Sequence, residues 1–447
     1  MSVTFCFVNR SSNKRKKMNS RNVFKIALFI CLFIYPTTGE TCSMYKITKD
    51  GKTIVGCNED AWRTTPHIWF EIGTNKANYG AAFTGSRFDG ENGYAPQSGM
   101  NEYGLVFSRL SSYHPEIKNL NKKQKITNPT FYLKDILHTC KTVEDVKKYI
   151  EKYDQSYFIE DVFIYIDKTG KYLVIEPYKI IEGNDASYVL SNFCPSITST
   201  EDANKLKRYK NGVLFLNNQL ETNLEFCKNA SDTMHVCREK IGDGTLLTSI
   251  WDSSNGTINL YFYHNYEKTI QFNLKKELSK GNHILKIDSL FPENKEFEQL
   301  KNYKTIQNSN LLKLFLAATG FFFFISSIYF FINYIISRKK NKKYNSIKLI
   351  YVLLGLVLFI YMFILSTNIN IYYFSAPYKD PRNLLINISS YIPFLLLALI
   401  VPLLVINYKV ITERLWNNFS SFILSVNNLL YIILIGLFIY WRFYFNF

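Results

Sequence analysis

The sequence predicts an α+β domain with antiparallel sheets, followed by an all-α domain of four transmembrane helices. Three observations lead to this prediction. Strand pairs flank a helical insert in the middle of the chain, four long apolar runs follow residue 310, and a basic segment with a short apolar run precedes residue 42. The 447 residues are enough for two or three structural units.

The distribution of charge argues against a nucleic-acid-binding protein. The formal net charge is +17, but residues 1–41 carry 7 Lys or Arg against 1 Asp or Glu, and residues 311–447 carry 12 against 2. The middle of the chain, residues 42–310, carries 34 against 33 and is almost neutral. A neutral domain without a basic stripe lacks the electrostatic footprint that phosphate binding needs, so we expect no nucleic-acid partner.

The first 41 residues have the pattern of a secretory signal peptide. A basic stretch from Lys14 to Lys25 leads into an apolar run from Ile26 to Tyr35, and small residues follow. The apolar run is too short for an ordinary membrane span, and a retained signal anchor is the alternative. We therefore expect residues 1–41 to be removed and the middle domain, residues 42–300, to lie outside the cytoplasm.

Two pairs of β-rich runs and a helical insert define the middle domain. Runs at 44–48 and 52–57 flank Asp50-Gly51, which is typical of a hairpin. A second pair, at 162–167 and 171–176, surrounds a Lys-Thr-Gly turn. Between the two pairs, residues 131–153 have helical periodicity, interrupted by a Thr-Val-Glu-Asp segment that resembles a capping box. Further strands are predicted at residues 187–191, 246–251, 258–263 and 270–274.

Four apolar runs of spanning length follow a linker at residues 301–310. They cover residues 311–336, 347–366, 384–406 and 421–440. The loop between the first two runs, from Arg338 to Lys343, is strongly basic, which predicts that it faces the cytoplasm. This topology again places the middle domain outside the cytoplasm, at the cell surface or in the periplasm. We expect the spans to carry no ionisable residue besides Lys313, so an anchor is favoured over a transporter.

The cysteines of the middle domain are the first candidates for chemistry. They are Cys42, Cys57, Cys140, Cys194, Cys227 and Cys237. Disulfides can form in an exported domain, and Cys227 and Cys237 could close a short loop. The spacing of the cysteines and of the nearby histidines does not give two paired ligand sets for zinc, so we expect no metal and no cofactor.

Cys42 differs from the other cysteines because it lies just beyond the plausible signal cleavage site. Removal of the preceding residues would make it the first residue of the mature chain. The free α-amine, with an ordinary pKa of about 8, could then take the proton from the thiol of the same residue. A half-cystine, a buried thiol and a lipidated cysteine are the alternatives, although the acidic Glu40 makes the preceding segment unlike a lipobox.

Five segments of the middle domain resemble, in the same order, those of one enzyme family. The chain has TCSM at 41–44, GCNEDAW at 56–62, GMNEYGL at 99–105, VLSN at 189–192 and RY at 208–209. This order is similar to that of the choloylglycine hydrolase and penicillin V acylase family of N-terminal nucleophile hydrolases. The resemblance covers residues 42–275 and implies a four-layer αββα sandwich.

The same resemblance implies roles for individual residues. Cys42 would be the nucleophile, and its amine would be the general base. Asp60 would orient that amine. Asn192 would donate its side-chain amide to the developing oxyanion, a role suited to a fixed dipole in a dry site. Arg208 would support the pocket electrostatically.

Departures from the family pattern bear on the substrate more than on the reaction. Cys57 stands where many family members have an arginine, so a bile-salt substrate is not implied. Ser111 is the nearest polar match, by count, to the asparagine that completes the oxyanion hole in bile-salt hydrolases. Asn58 is a further candidate for a substrate or oxyanion contact. We expect Asn101 and Glu102 to build a turn and to take no part in catalysis.

The sequence thus predicts a membrane-anchored cysteine amidohydrolase outside the cytoplasm. Its substrate would be a small N-acylated compound with a linear amide. The intermediate would be a thioester on Cys42. Transfer of the acyl group to an amine is an alternative to hydrolysis. The bilayer is the other expected partner, and the sequence does not predict the oligomeric state. The alternative is an inactive ectodomain that binds or senses a ligand, and the mature N-terminus distinguishes the two.

Overall fold

A computed structural model describes residues 42–61, 64–73, 78–117, 123–237, 244–306, 308–338, 344–372 and 384–444. The predicted signal peptide at residues 1–41 and most of the basic loop, residues 339–343, lie outside the described residues. The chain forms two compact units. One ends at Tyr303 and the other begins at Lys304.

Sixteen strands lie in the described part of the first unit. They are β1 (Ser43–Lys49), β2 (Lys52–Ala61), β3 (His67–Glu71), β4 (Ala81–Gly85), β5 (Arg87–Phe88), β6 (Tyr94–Ala95), β7 (Ser98–Asn101), β8 (Val106–Ser111), β9 (Asp161–Ile166), β10 (Tyr172–Ile175), β11 (Ile180–Gly183), β12 (Ser187–Leu190), β13 (Gly244–Asp252), β14 (Thr257–Phe262), β15 (Asn265–Asn273) and β16 (His283–Lys286). A six-stranded sheet has the order β12-β1-β2-β13-β14-β15, an eight-stranded sheet has the order β11-β10-β9-β8-β7-β4-β3-β16, and β5 pairs with β6. The strand pairs within these sheets are antiparallel.

The α-helices in the described part of the first unit are short. They are α1 (Pro129–Thr139), α2 (Val143–Ile150), α3 (Thr200–Ala203), α4 (Lys207–Asn218), α5 (Leu224–Met234), α6 (Leu274–Leu278) and α7 (Lys295–Asn302). The predicted interruption between α1 and α2 is present, and Thr142 and Asp145 form the predicted capping box at the start of α2.

Three apolar clusters divide the first unit into four layers. Helices α1 and α2 pack on the eight-stranded sheet, where Leu133 and Val146 contact its core residues. Helices α4 and α5 pack on the six-stranded sheet through Leu216 and Met234. The third cluster, which includes Trp251, lies between the two sheets. Since each sheet has one face towards a helical layer and one towards the other sheet, the unit is the predicted αββα sandwich.

Both predicted hairpins are present in the sandwich. Asp50 and Gly51 have φ values of 52° and 72°, which is the backbone of a tight two-residue turn between β1 and β2. Strands β3 to β8 were not predicted from the sequence. They are short, and β4 and β7 are buried at every position, so they lack the alternation of polar and apolar residues that reveals a half-exposed strand.

The possible disulfide between Cys227 and Cys237 is not formed. Cys227 lies in α5 and is fully buried in the cluster between that helix and the six-stranded sheet. Cys237 follows α5 and is exposed. The helix turns the Cys227 side chain towards the core, so closeness in sequence does not bring the two sulfur atoms together.

The second unit has five described helices. They are α8 (Asn310–Arg338), α9 (Ile347–Thr367), α10 (Leu384–Ser389), α11 (Ile392–Thr412) and α12 (Asn418–Tyr440). Four segments are long and apolar enough to cross a membrane, and the third comprises α10 and α11. This segment is interrupted near Tyr391, before Pro393 in the first turn of α11, and it extends to Thr412, beyond the predicted end at residue 406.

The expectation that Lys313 would be the sole ionisable residue within the spans is wrong. Lys348 lies in the first turn of α9, is buried, and donates hydrogen bonds from Nζ to side-chain oxygens of α8. Polar contacts also join helices deeper in the unit, since Asn427 Nδ2 donates to Ser326 Oγ at 2.7 Å and Tyr351 donates to Asn428 Oδ1 at 3.2 Å. In an apolar environment such bonds contribute to helix association.

The turn expected at Asn101 is present, and its side chain connects two layers. Asn101 Oδ1 accepts from the backbone N–H groups of Tyr103 and Leu105. Its Nδ2 donates to the carbonyls of Leu137 (2.9 Å) and Cys140 (2.7 Å), which belong to the end of α1 and the residue after it. One buried amide therefore satisfies four backbone groups.

Replacing Asn101 by Ala should destabilise the sandwich by about 2 kcal/mol or more, because buried backbone groups lose their partners. In thermal unfolding of the full-length protein in detergent, we expect the melting temperature to fall by about 5 °C. The control is Glu102→Ala, which removes an exposed side chain from the same turn and should leave stability nearly unchanged. Equal melting temperatures for the two variants would contradict this role of Asn101.

Candidate active site

Cys42 lies immediately before β1, where neighbouring strands bring polar residues from two other segments beside it. The antiparallel pairing of β1 with β12 places Ser191 and Asn192, which follow β12, next to Cys42. The pairing of β1 with β2 places Glu59 and Asp60 on the opposite side. The start of β1 is therefore surrounded by groups that are far apart in sequence.

The backbone of Cys42 is held by two side chains. Its carbonyl oxygen accepts hydrogen bonds from Ser191 Oγ and from Arg208 Nε, both at 3.1 Å. Arg208 lies in the first turn of α4 and is 2% exposed. Its Nε also donates to Ser191 Oγ at 2.8 Å, and its NH2 group donates to Asn192 Oδ1. Arg208 thus connects the candidate nucleophile to the candidate oxyanion donor.

The thiol of Cys42 is buried and protonated in this environment. It donates to the carbonyl oxygen of Asp60 at 3.8 Å and accepts from Gln97 Nε2 at 3.7 Å. Burial, assisted by the negative charge of Asp60, raises the pKa of the thiol to about 12, although the positive charge of Arg208 lowers it. Because the thiolate is the nucleophilic form, Cys42 needs a base close by in order to react.

The predicted residues Asn192 and Ser111 also meet. Asn192 Nδ2 donates to the backbone carbonyl of Ser111 at 2.6 Å, whereas the side chain of Ser111 is exposed. Ser111 therefore joins the group through its backbone, which holds the amide of Asn192 in place. The amide carries a second N–H that can point towards a substrate.

Asp60 and Asn58 alternate with Glu59 along β2, and their hydrogen bonds differ. Asp60 is buried, and its Oδ1 accepts from Thr245 Oγ1 at 2.6 Å. Asn58 Nδ2 donates to the carbonyl of Ser231 in α5 at 2.9 Å, and its Oδ1 accepts from Thr248. The structure thus brings Cys42, Asp60, Asn192 and Arg208 together, while the Asn58 side chain bonds towards the helical layer.

Three residues of this group were not singled out from the sequence. They are Gln97, Ser191 and Glu59. Ser191 and Glu59 lie inside the VLSN and GCNEDAW motifs. The motifs therefore include these residues, but they do not predict the contacts that the side chains make. Gln97 directly precedes β7 and reaches Cys42 from the eight-stranded sheet, a juxtaposition that only the packing of the two sheets produces.

Glu59 connects the two sheets beneath Cys42. Its Oε1 accepts hydrogen bonds from Ser98 Oγ, at 2.7 Å, and from Thr84 Oγ1. Both donors lie in the eight-stranded sheet beside Gln97, whose backbone N–H donates to the carbonyl of Thr84 at 2.7 Å. Burial raises the pKa of Glu59 to about 7, against the opposing effect of these two hydroxyl donors. The carboxyl therefore helps to fix Gln97 relative to Cys42.

The comparisons with known proteins give limited similarity. No family model and no curated protein matches the sequence. Among solved structures, a variant and a mutant of conjugated bile acid hydrolase from Clostridium perfringens each have 16% identity and a TM-score of 0.42, covering 57% of this chain and 97% of that chain. Penicillin V acylase from Agrobacterium tumefaciens has 13% identity and a TM-score of 0.41, covering 54% of this chain and 90% of that chain. Similarity at this level establishes no function, which has to be inferred from the residues around Cys42.

Glu59→Gln should change how stability depends on pH. Because the pKa of Glu59 in the folded protein is raised above its ordinary value of 4.5, the folded state holds this proton more tightly than the unfolded state. The stability of the native protein should therefore fall as pH rises from about 4.5 to about 7, by an amount on the order of 3 kcal/mol at most. Glutamine keeps the acceptor for Ser98 and cannot ionise, so the variant should lack this loss.

The measurement is the melting temperature of both proteins in detergent at pH 5 and pH 8. The difference between variant and native protein should shift in favour of the variant at pH 8. Glu102→Gln, at an exposed position, serves as the control and should follow the native protein at both values. A difference between Glu59→Gln and native protein that stays constant with pH would contradict the assignment.

Proposed function

We propose that this protein is a membrane-anchored cysteine amidohydrolase in which Cys42, as the first residue of the mature chain, is the nucleophile. The observation that supports the proposal most is the convergence on Cys42 of side chains from separate segments. Arg208 and Ser191 bind its carbonyl, and Gln97 reaches its thiol. Asn192, bound to the same Arg208, supplies an amide beside it.

The buried thiol of Cys42 is protonated, so the reaction needs a base beside it. A free α-amine on the same residue has an ordinary pKa of about 8, so part of it is unprotonated at neutral pH and can take the proton as the thiol attacks. Cys42 also has a φ of 28°, a left-handed conformation that non-glycine residues avoid. Cleavage of the preceding peptide bond removes this constraint and creates the amine.

The proposed reaction proceeds through a thioester. Cys42 Sγ attacks the carbonyl carbon of the substrate amide while its proton passes to the α-amine of Cys42. The oxyanion that forms receives hydrogen bonds from the amides of Asn192 and Gln97, which are pre-oriented and partly shielded from water. The C–N bond then breaks, and the leaving amine takes the proton from the α-amine. Water, deprotonated by the α-amine, attacks the thioester, releases the acid and restores the thiol.

Asp60 and Arg208 have supporting roles in this proposal. Asp60 is buried next to Cys42, and its negative charge stabilises the protonated α-amine that forms in each half-reaction. Arg208 holds the Cys42 carbonyl and the Asn192 amide in one arrangement. Neither residue exchanges a proton with the substrate.

The substrate class is a small compound with a linear N-acyl amide. The sequence resemblance around Cys42 supports this class, and the four apolar helices support action at a membrane surface. We place the catalytic unit outside the cytoplasm, as the N-terminal segment and the basic loop indicate. An amine that replaces water in the second step would receive the acyl group, so transfer belongs to the same proposal.

Cys42→Ala and Cys42→Ser should abolish amide hydrolysis. The assay is release of amine from a panel of N-acyl amino acids by the full-length protein in detergent, and we expect a fall of at least about 1,000-fold, because the nucleophile and the thioester are lost. The control is Cys57→Ala, which removes a buried thiol from β2 and should retain most of the activity. Activity in the Cys42 variants equal to that of the Cys57 variant would contradict the proposal.

The alternative is a binding or sensing module without catalysis. The burial of Cys42, which is 7% exposed, favours it in a chain that keeps the preceding residues, because the thiol then has no α-amine to accept its proton. Such a protein would bind N-acyl compounds without turnover, and Cys42→Ala would bind them as the native protein does.

A further inference from the structure

A second cluster of reactive side chains lies away from Cys42. Cys237, His264 and Glu296 each offer one metal-ligand atom, and these three atoms lie within 4.8 Å of one another. Cys237 follows α5, His264 lies in the turn between β14 and β15, and Glu296 lies in the first turn of α7. Three separate segments of the sandwich therefore meet at one point. We propose that this cluster binds a zinc ion.

The ligand types select for zinc. A thiolate, an imidazole and a carboxylate form a mixed sulfur, nitrogen and oxygen set, which suits zinc, whereas Mg²⁺ and Ca²⁺ prefer oxygen ligands throughout. In a tetrahedral zinc site, ligand atoms lie about 3.5 Å apart. His264 Nε2 and Glu296 Oε2 are already 3.1 Å apart. Cys237 Sγ lies within 4.8 Å of a ligand atom of each of the other two residues.

His264 provides a second, independent observation. Its side chain is only 11% exposed, and its Nδ1 is buried without a hydrogen-bond partner among the described residues. A buried polar atom without a partner costs free energy, and most such atoms in proteins are satisfied. Direct coordination of Nδ1 by the metal gives this atom a partner, whereas coordination of Nε2 leaves it as an N–H.

The turn that carries His264 is built in an unusual way for its residues. Tyr263 and His264 have φ values of 52° and 45°, in a hairpin turn where Asn and Gly are preferred. The imidazole on this turn pairs with Glu296. The left-handed backbone of this turn costs about 1 kcal/mol per residue, and the turn positions the histidine beside Glu296.

Cys237 differs from the other described cysteines in its environment. Cys42, Cys57, Cys140, Cys194 and Cys227 are buried, and Cys237 is exposed. Zinc coordination would hold this exposed side chain as a thiolate ligand. An open cavity of about 910 Å³, lined in part by His264 and Glu296, adjoins the cluster and lets a water molecule take the fourth position.

The test measures zinc binding by the full-length protein in detergent after treatment with a chelator. We expect one equivalent of Zn²⁺ to bind, and Co²⁺ in its place to give a thiolate charge-transfer band. Cys237→Ser should remove that band. His264→Ala and Glu296→Gln should weaken Zn²⁺ binding by at least about tenfold. This readout does not depend on the chemistry proposed at Cys42.

The matched control is His283→Ala. His283 Nε2 also lies 3.1 Å from a carboxylate oxygen, that of Glu277, but this pair forms no cluster with a cysteine among the described residues, so zinc binding should be unchanged. Because Cys237 and Glu296 are exposed, their variants should fold, and unfolding without metal checks this. Zinc should also slow alkylation of Cys237, followed by peptide mass. Binding that survives Cys237→Ser and His264→Ala, or the absence of one-to-one binding, would overturn the proposal.

Discussion

The hydrogen bonds of the Arg208 guanidinium hold the candidate active site together. They join the carbonyl of Cys42, the hydroxyl of Ser191 and the amide of Asn192, which lie on different segments of the chain. Burying a guanidinium costs several kcal/mol unless acceptors satisfy it, and these three groups supply acceptors. These hydrogen bonds form when the segments meet in this arrangement, so they couple folding to the geometry around Cys42.

The packing of the two sheets adds hydrogen bonds near Cys42 that join residues of different sheets. Glu59 in the six-stranded sheet accepts hydrogen bonds from Ser98 and Thr84 in the other sheet, and Gln97 between them reaches the thiol of Cys42. Buried polar groups in a network of this kind are favourable only when they are satisfied together. The same contacts that join the sheets thus set the position of a donor beside the nucleophile.

Local sequence patterns predicted much of the fold, because they depend on neighbouring residues. The Asp50-Gly51 turn and the capping box at Thr142 are examples, and the long apolar runs predicted the helices that are long and apolar enough to cross a membrane. Ordered motifs also pointed to Cys42 and Arg208. Contacts between distant segments were not predictable in this way. The side chain of Asn58 bonds to helix α5, Ser111 contributes its carbonyl instead of its hydroxyl, and Gln97 was overlooked. For the same reason, the spacing of cysteines and histidines along the sequence did not predict the cluster of Cys237, His264 and Glu296.

The proposed chemistry requires Cys42 to become an N-terminal residue with a free amine, and the intact mass of the protein purified from membranes reports this. We expect a chain that begins at Cys42, with an α-amine that reacts with an amine-specific reagent. A stable terminus upstream of Cys42, or a Cys42 whose amine is blocked, would contradict this, because the protonated thiol would then have no α-amine of its own to take its proton.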